Sequence, residues 1–367
     1  MAVSVETQRQ EKAKDDSVVA RGFIDCDLHN ELDSPKDLYP YLSERWRRHI
    51  DRYGLRQYLG SGYPRFMGHR EEARPPSGRQ PGSEVAYTRS DFLDRYDVAY
   101  AVLNPLTPVG RLPNQELEAV LATAVNDWQV AEWLDPEPRL RASLIIPFDD
   151  PPRAVEEIER RAHDRRFVQV QFTGRPHEPM GRRKYWPIYE ACAAHGLHVA
   201  SHAFMCGGNP ITGVGWPSYY IEDHVGPSQA MQANLVSMVA EGVFERFPTL
   251  TLVSVENAFG WLPALMWRMD SAFELLGDEV PHLERKPSEY LRERVYLATQ
   301  PMEEPARPAY FHELFDFFAG FADRLMFASD YPHWDGDAPD GAFPVHLPAD
   351  LEHKIRYENA RRLYDLP

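Results

Sequence analysis

Asp25, Asp27 and His29 stand at alternate positions in GFIDCDLHN (22–30), where an apolar strand opens after a ragged, charged start. A strand repeats every two residues, so the spacing predicts that all three side chains leave one face. Two carboxylates and an imidazole are costly to bury together unless a positive charge sits among them. A divalent cation is the usual charge in such a set, and an N-cap or turn cluster after a short edge strand is the plain alternative. Three later segments end in the same way, with polar residues closing an apolar run. They supply His202 in LHVASHAF (197–204), Glu256 and Asn257 in LTLVSVEN (250–257), and Asp330 and His333 in RLMFASDYPH (324–333), with His224 in the loop between the first two. Taken singly, His202 reads as a hydrogen-bonded core histidine, Glu256 as an arginine partner and Asp330 as a turn aspartate before Pro332. Gathered on one rim, two imidazoles and two carboxylates suit Zn²⁺, Mn²⁺ or Fe²⁺, with room for water or substrate.

Whether they share a rim depends on the elements that carry them. Apolar runs at 98–105, 141–148, 167–174, 197–204, 250–257, 294–301 and 324–333 follow the first strand. Helical patterns separate them, at 85–96, 114–134, from Pro151-Pro152, up to Gly196, and at 227–247, 260–276, 312–321 and 348–364. The central runs are almost continuously apolar, as in a parallel sheet covered on both faces. Eight β-then-α units predict a (β/α)₈ TIM barrel, in which chemistry collects at the C-terminal ends of the strands. A doubly wound sheet is the alternative, but no G-x-G-x-x-G or G-x-x-x-x-G-K-[ST] follows strand one. One domain is expected over 22–367, preceded by a disordered tail (1–21). The aromatic-rich, breaker-rich stretch 31–84 reads as a lid or insertion, with a dimer contact as its other reading.

Composition narrows the function. A net charge of −16 without a basic run argues against nucleic acid, and no apolar segment is long enough to span a bilayer. Cys26, Cys192 and Cys206 form no C-x-x-C pair, which fits a reducing cytoplasm, and the charged start is unlike a signal peptide.

With D-C-D-L-H, V-A-S-H, E-N-A-F-G-W-L-P, S-D-Y-P-H and the closing E-N-A-R-R-L-Y in view, the chain resembles the amidohydrolase superfamily. Within it, the resemblance is to the aminocarboxymuconate-semialdehyde decarboxylase-like branch. It implies that the strand-one H-x-H, or E-x-H of the aromatic-acid decarboxylases, falls on Asp27-Leu28-His29. The strand-five metal histidine falls on His202, and the strand-eight aspartate, a ligand that also handles protons, on Asp330. Strand four offers Gln169 and Gln171 where binuclear members carry a carboxylated lysine, so a single metal is expected. The strand-six histidine of many members is replaced by Glu256 or Asn257, with His224 and His333 as candidate acid–base groups. The branch commonly forms homodimers.

Two reactions fit this set. In non-oxidative decarboxylation of a small aromatic or unsaturated acid, protonated Asp330 supplies the proton that replaces CO₂. In hydrolysis of an amide, lactone or imine, Asp330 serves as general base toward metal-activated water. The strand-one carboxylate-x-His favours the first; a non-catalytic metal-binding scaffold is a third reading. Trp216, Tyr219 and Tyr220 suggest a flat substrate, with Arg65 or Arg70 to meet its carboxylate.

Overall fold

The computed structural model describes residues 22–55, 68–107, 109, 112–203, 209–317 and 320–367. The predicted tail, Arg65 and the middle of the predicted lid lie outside the described residues. The eight expected strands are present: β1 (Phe23–Leu28), β2 (Val98–Leu103), β3 (Leu140–Ile145), β4 (Phe167–Thr173), β5 (His198–His202), β6 (Leu252–Val255), β7 (Val295–Ala298) and β8 (Leu325–Met326). They lie in chain order in one sheet, and every ladder is parallel. Backbone hydrogen bonds join β8 to β1: Cys26 N to Phe327 O (2.9 Å), His29 N to Tyr331 O (2.8 Å) and Asp330 N to Asp27 O (3.0 Å). The result is a (β/α)₈ barrel.

Local signals account for the helices between the strands. Asn114 accepts from Leu117 N at the start of Gln115–Trp128, which continues as a π-helical turn, Gln129–Leu134. Pro151 and Pro152 occupy the first turn of Pro151–Arg161 behind the Asp150 cap. Gly196, at φ 67°, ends Trp186–His195 in the left-handed conformation that glycine adopts without strain. The long helix expected over 227–247 divides into Pro227–Ala240 and Val243–Arg246, because Gly242 at φ 79° turns the chain between them. Within the expected lid, Glu44–Tyr53 forms a helix that buries Trp46 and Ile50, four residues apart. The described end of this insertion docks on the barrel mouth, with Arg70 N bonded to Pro332 O at 2.9 Å. No helix among the described residues is long and apolar enough to cross a membrane.

The apolar core has two compartments. One fills the space between strands and helices; the other, with Ile24, Cys26, Val102, Ala200, Val253 and Met326, fills the barrel. This division corrects the expectation that Asp25, Asp27 and His29 share a face. The β1–β2 register slips between Asp25 and Leu28. Ile24 and Cys26 therefore face the interior, whereas Leu28 packs in the outer compartment. The slip reverses the alternation, as a bulge does. Asp25 is left on the outer side, where it accepts hydrogen bonds from the amides of Asp27 and Ser329 and from the Ser329 hydroxyl. Asp27 and His29 turn inward.

Candidate metal centre and its surroundings

Four strand ends bring the site together. Asp27 and His29 close β1, His202 closes β5, Glu256 follows β6, and Asp330 and His333 follow the short β8. Glu256 and Asp330 have φ of 56° and 58°, unusual for residues with a Cβ. Each such residue costs roughly 1–3 kcal/mol, and strain of this kind concentrates at functional sites.

Two overlapping quartets of ligand atoms result. Asp27, His29, His202 and Glu256 each present one atom within 4.8 Å of the others, and so do His29, Glu256, Asp330 and His333. His29 Nε2 lies 2.9 Å from Asp330 Oδ1, 3.3 Å from Asp27 Oδ1 and 3.6 Å from Glu256 Oε1. His202 Nε2 is 3.6 Å from both Asp27 Oδ1 and Glu256 Oε2. All four members of the first quartet are buried.

These atoms fit a divalent cation. His29 Nδ1 lies 2.6 Å from the carbonyl oxygen of Asn104, which only accepts, so Nδ1 carries the proton. In the neutral ring Nε2 then directs its lone pair at three carboxylates, an arrangement that calls for a proton or a metal ion between them. Asp27 Oδ2 and Glu256 Oε2 are buried and make no hydrogen bond among the described residues. A buried carboxylate oxygen without a donor is costly, and coordination removes that cost.

The carboxyl groups are electrostatically unequal. Burial, reinforced by the negative charge of Glu256, pushes Asp330 well above the usual carboxylate range. Burial also acts on Glu256, but the neighbouring imidazoles, His202 first, outweigh it and hold this acid well below the usual carboxylate range. Burial opposes protonation of His333, yet Asp330, whose Oδ1 lies 2.6 Å from its Nδ1, drives the ring up to about 10. The two acids are therefore pushed in opposite directions, the division on which acid–base chemistry depends.

The remaining predicted residues are placed differently. Glu256, rather than Asn257, faces the centre; the Asn257 amide donates to the carbonyls of Ser201 and Val255. His224 stands outside both quartets, its Nε2 2.7 Å from Asp335 Oδ2 and its ring beside Trp334. Trp216 and Tyr219 are exposed, and Tyr220 packs against His224. Arg70 directs its guanidinium to the carbonyl of Gly336. Three contributors escaped the sequence reading. Asn104, ending β2, donates to Asp27 Oδ1 (2.8 Å) and accepts from the Ser143 hydroxyl and from Gln169 Nε2 (3.2 Å). It closes the apolar run VAYAVLNP (98–105) in the same manner as the other ligand-bearing strand ends, so the signal was present. Glu31 and His69 lie at the mouth, where irregular sequence gives no such signal.

Residues 24–366 match the family model described as Amidohydrolase. Gamma-resorcylate decarboxylase of Rhizobium sp. (strain MTP-10005) is 24% identical over 298 residues, covering 77% of this chain and 88% of that protein. Among solved structures, 5-carboxyvanillate decarboxylase from Sphingomonas paucimobilis superposes with a TM-score of 0.69 at 22% identity, over 95% of this chain and 100% of its own. Dihydroxybenzoic acid decarboxylase from Polaromonas sp. JS666, with bound manganese and the inhibitor 2-nitroresorcinol, gives 0.65 at 19%, over 94% and 97%. The family match runs from the first ligand-bearing strand to the penultimate residue, and on that match the chain belongs to the amidohydrolase family.

Proposed function

We propose that this protein is a metal-dependent carboxy-lyase that removes CO₂ without oxidation from a small aromatic acid. The observation that carries the reading is the likeness, over three quarters of the chain, to a decarboxylase of such an acid. In this reading Asp27, His29, His202 and Glu256 hold one divalent cation, with Asp330 at the edge of the set. When bound, the cation supplies Lewis-acid polarisation of the substrate's carboxylate or neighbouring hydroxyl oxygen. The manganese in the Polaromonas structure makes Mn²⁺ the first ion to load, ahead of Zn²⁺ and Fe²⁺.

The chain's own residues divide the work. Glu256, held ionised, steadies the imidazoles of His29 and His202. Protonated Asp330 gives its proton to the ring carbon that bears the carboxylate, and a ring π pair forms the new C–H bond. The carbon–carboxylate bond then breaks, and its electron pair restores the ring as CO₂ leaves. Asp330 is left as a carboxylate whose Oδ1 faces His333 Nδ1 at 2.6 Å, and the N–H there stabilises it until solvent returns the proton. Buried Cys26 and Cys192 carry free thiols, which supports a reducing compartment.

The test is CO₂ release from 2,6-dihydroxybenzoate, 5-carboxyvanillate and related acids by the manganese-loaded protein. Turnover of at least one, abolished by chelation, is expected. Cleavage of amides or lactones with no CO₂ from any acid would overturn the proposal.

A further inference from the structure

A second group of ligand-type side chains lies at the barrel mouth, beyond the first quartet. Glu31, His69 and His333 each present one atom within 4.8 Å of the others. They come from three separate segments: the turn after β1, the end of the insertion and the loop after β8. Backbone contacts fix all three. Glu31 N donates to Gly82 O (2.8 Å), and Arg70 N donates to Pro332 O (2.9 Å). His69 and His333 pair in an isolated antiparallel bridge, which sets their rings 5.5 Å apart. Gly82 is needed for this approach, since a Cβ there would fall 2.8 Å from the carbonyl oxygen of His29.

We propose that Glu31, His69 and His333 form a second divalent-cation site at the mouth of the barrel. His333 belongs to both the inner and the outer group. Its Nδ1 is turned inward onto Asp330 Oδ1 (2.6 Å), and its Nε2 faces outward, 3.9 Å from Glu31 Oε1. A carboxylate holding one ring nitrogen while the other meets a ligand set is how metal-binding histidines are oriented. Two imidazoles and one carboxylate form a common three-residue set for Zn²⁺, and it leaves a coordination position for water or for an oxygen of an entering molecule. The Glu31 side chain is 17% exposed, so the outer ion exchanges with solvent more readily than one held by the buried quartet. The outer site does not depend on which reaction the inner one performs.

Metal stoichiometry tests it. The full-length chain, stripped with chelator, is titrated with Zn²⁺, and bound metal is counted after removal of free ion. Two equivalents are expected, the weaker lost, with its Kd raised at least tenfold, in both His69→Ala and Glu31→Gln. His202→Ala should instead lose the tighter equivalent and keep the weaker. A single equivalent in the wild type that survives both outer substitutions, or two that survive both in folded protein, would overturn the outer site. A single equivalent lost with His69 but kept without His202 would support the outer site and count against the inner ligand set. Circular dichroism establishes that each variant is folded, and Glu31→Gln, at a partly exposed position, gives a reading should His69→Ala fail to fold.

Discussion

Asn104 offers the sharpest test of how the inner ligands are held. Its amide donates to Asp27 Oδ1 at 2.8 Å and to Cys26 O at 3.1 Å, and its carbonyl accepts from Ser143 and Gln169. Asn104→Ala removes all four bonds but keeps the backbone carbonyl that orients His29. Ser143 and Gln169 still bond each other, so Asp27 and Cys26 are the partners stripped; at about 1–3 kcal/mol each, a loss of about 2–6 kcal/mol in stability is expected. Metal affinity should fall about 10- to 100-fold, because Asp27 loses the contact that aims it. Ser143→Ala is the control. It lies one bond further from Asp27 and should cost about 1 kcal/mol in stability, with metal Kd changed less than about threefold. Binding of Mn²⁺ by calorimetry and unfolding by urea separate the two quantities. Should Asn104→Ala bind Mn²⁺ within twofold of wild type, or Ser143→Ala lose as much affinity, Asn104 is not what positions Asp27.

Other perturbations probe separate parts of the structure. Asp330→Asn should lower decarboxylation by about 10²–10⁴ while bound metal is largely retained, and a rate within tenfold of wild type would remove Asp330 as proton carrier. Burial raises Asp25 to about 7, so between roughly pH 4 and 7 the folded chain keeps a proton that the unfolded chain has released. Stability contributed by this proton is therefore present at low pH and lost as pH rises through 7; Asp25→Asn should flatten that dependence and melt above wild type at pH 8. Chelation should lower the melting temperature by about 5 °C relative to protein in metal at about 100 times its Kd, and an unchanged midpoint would argue against a bound ion in the folded state.

Much of the fold could be read directly because a barrel repeats its signal. Each strand is a largely buried, mainly apolar run, and caps or stops mark several of the helices, so register errors of a residue or two left the order of elements intact. The site was legible where one polar residue ended such a run, as with His202 and Asp330. It was not legible where its placement depends on pairing between strands. The slip in β1 separates Asp25 from Asp27, and nothing in the spelling of FIDCDL marks it. The choice between Glu256 and Asn257 was equally hidden, since a left-handed residue after β6 decides which side chain faces inward. Glu31 and His69 meet His333 only because the insertion folds back onto the loop after β8, a tertiary event with no local pattern.

The site sits on the seam where the barrel closes, and this location has a chemical consequence. The hydrogen bond from Asp330 N to Asp27 O joins β8 to β1 and also sets two acids from opposite ends of the chain side by side. Just below, Asp25 fastens Ser329 through both amide and hydroxyl. Closure therefore buries Asp330 next to Glu256, and burial is the first cause of its raised proton affinity. In an open sheet both acids would be solvated, and burial would no longer separate their proton affinities. The strained backbone at Glu256 and Asp330 is tolerated because the surrounding ladder and helices fix those positions. Placement of the proton is thus a property of the closed barrel rather than of Asp330 alone, which is why a change at the seam should alter reactivity without touching a ligand.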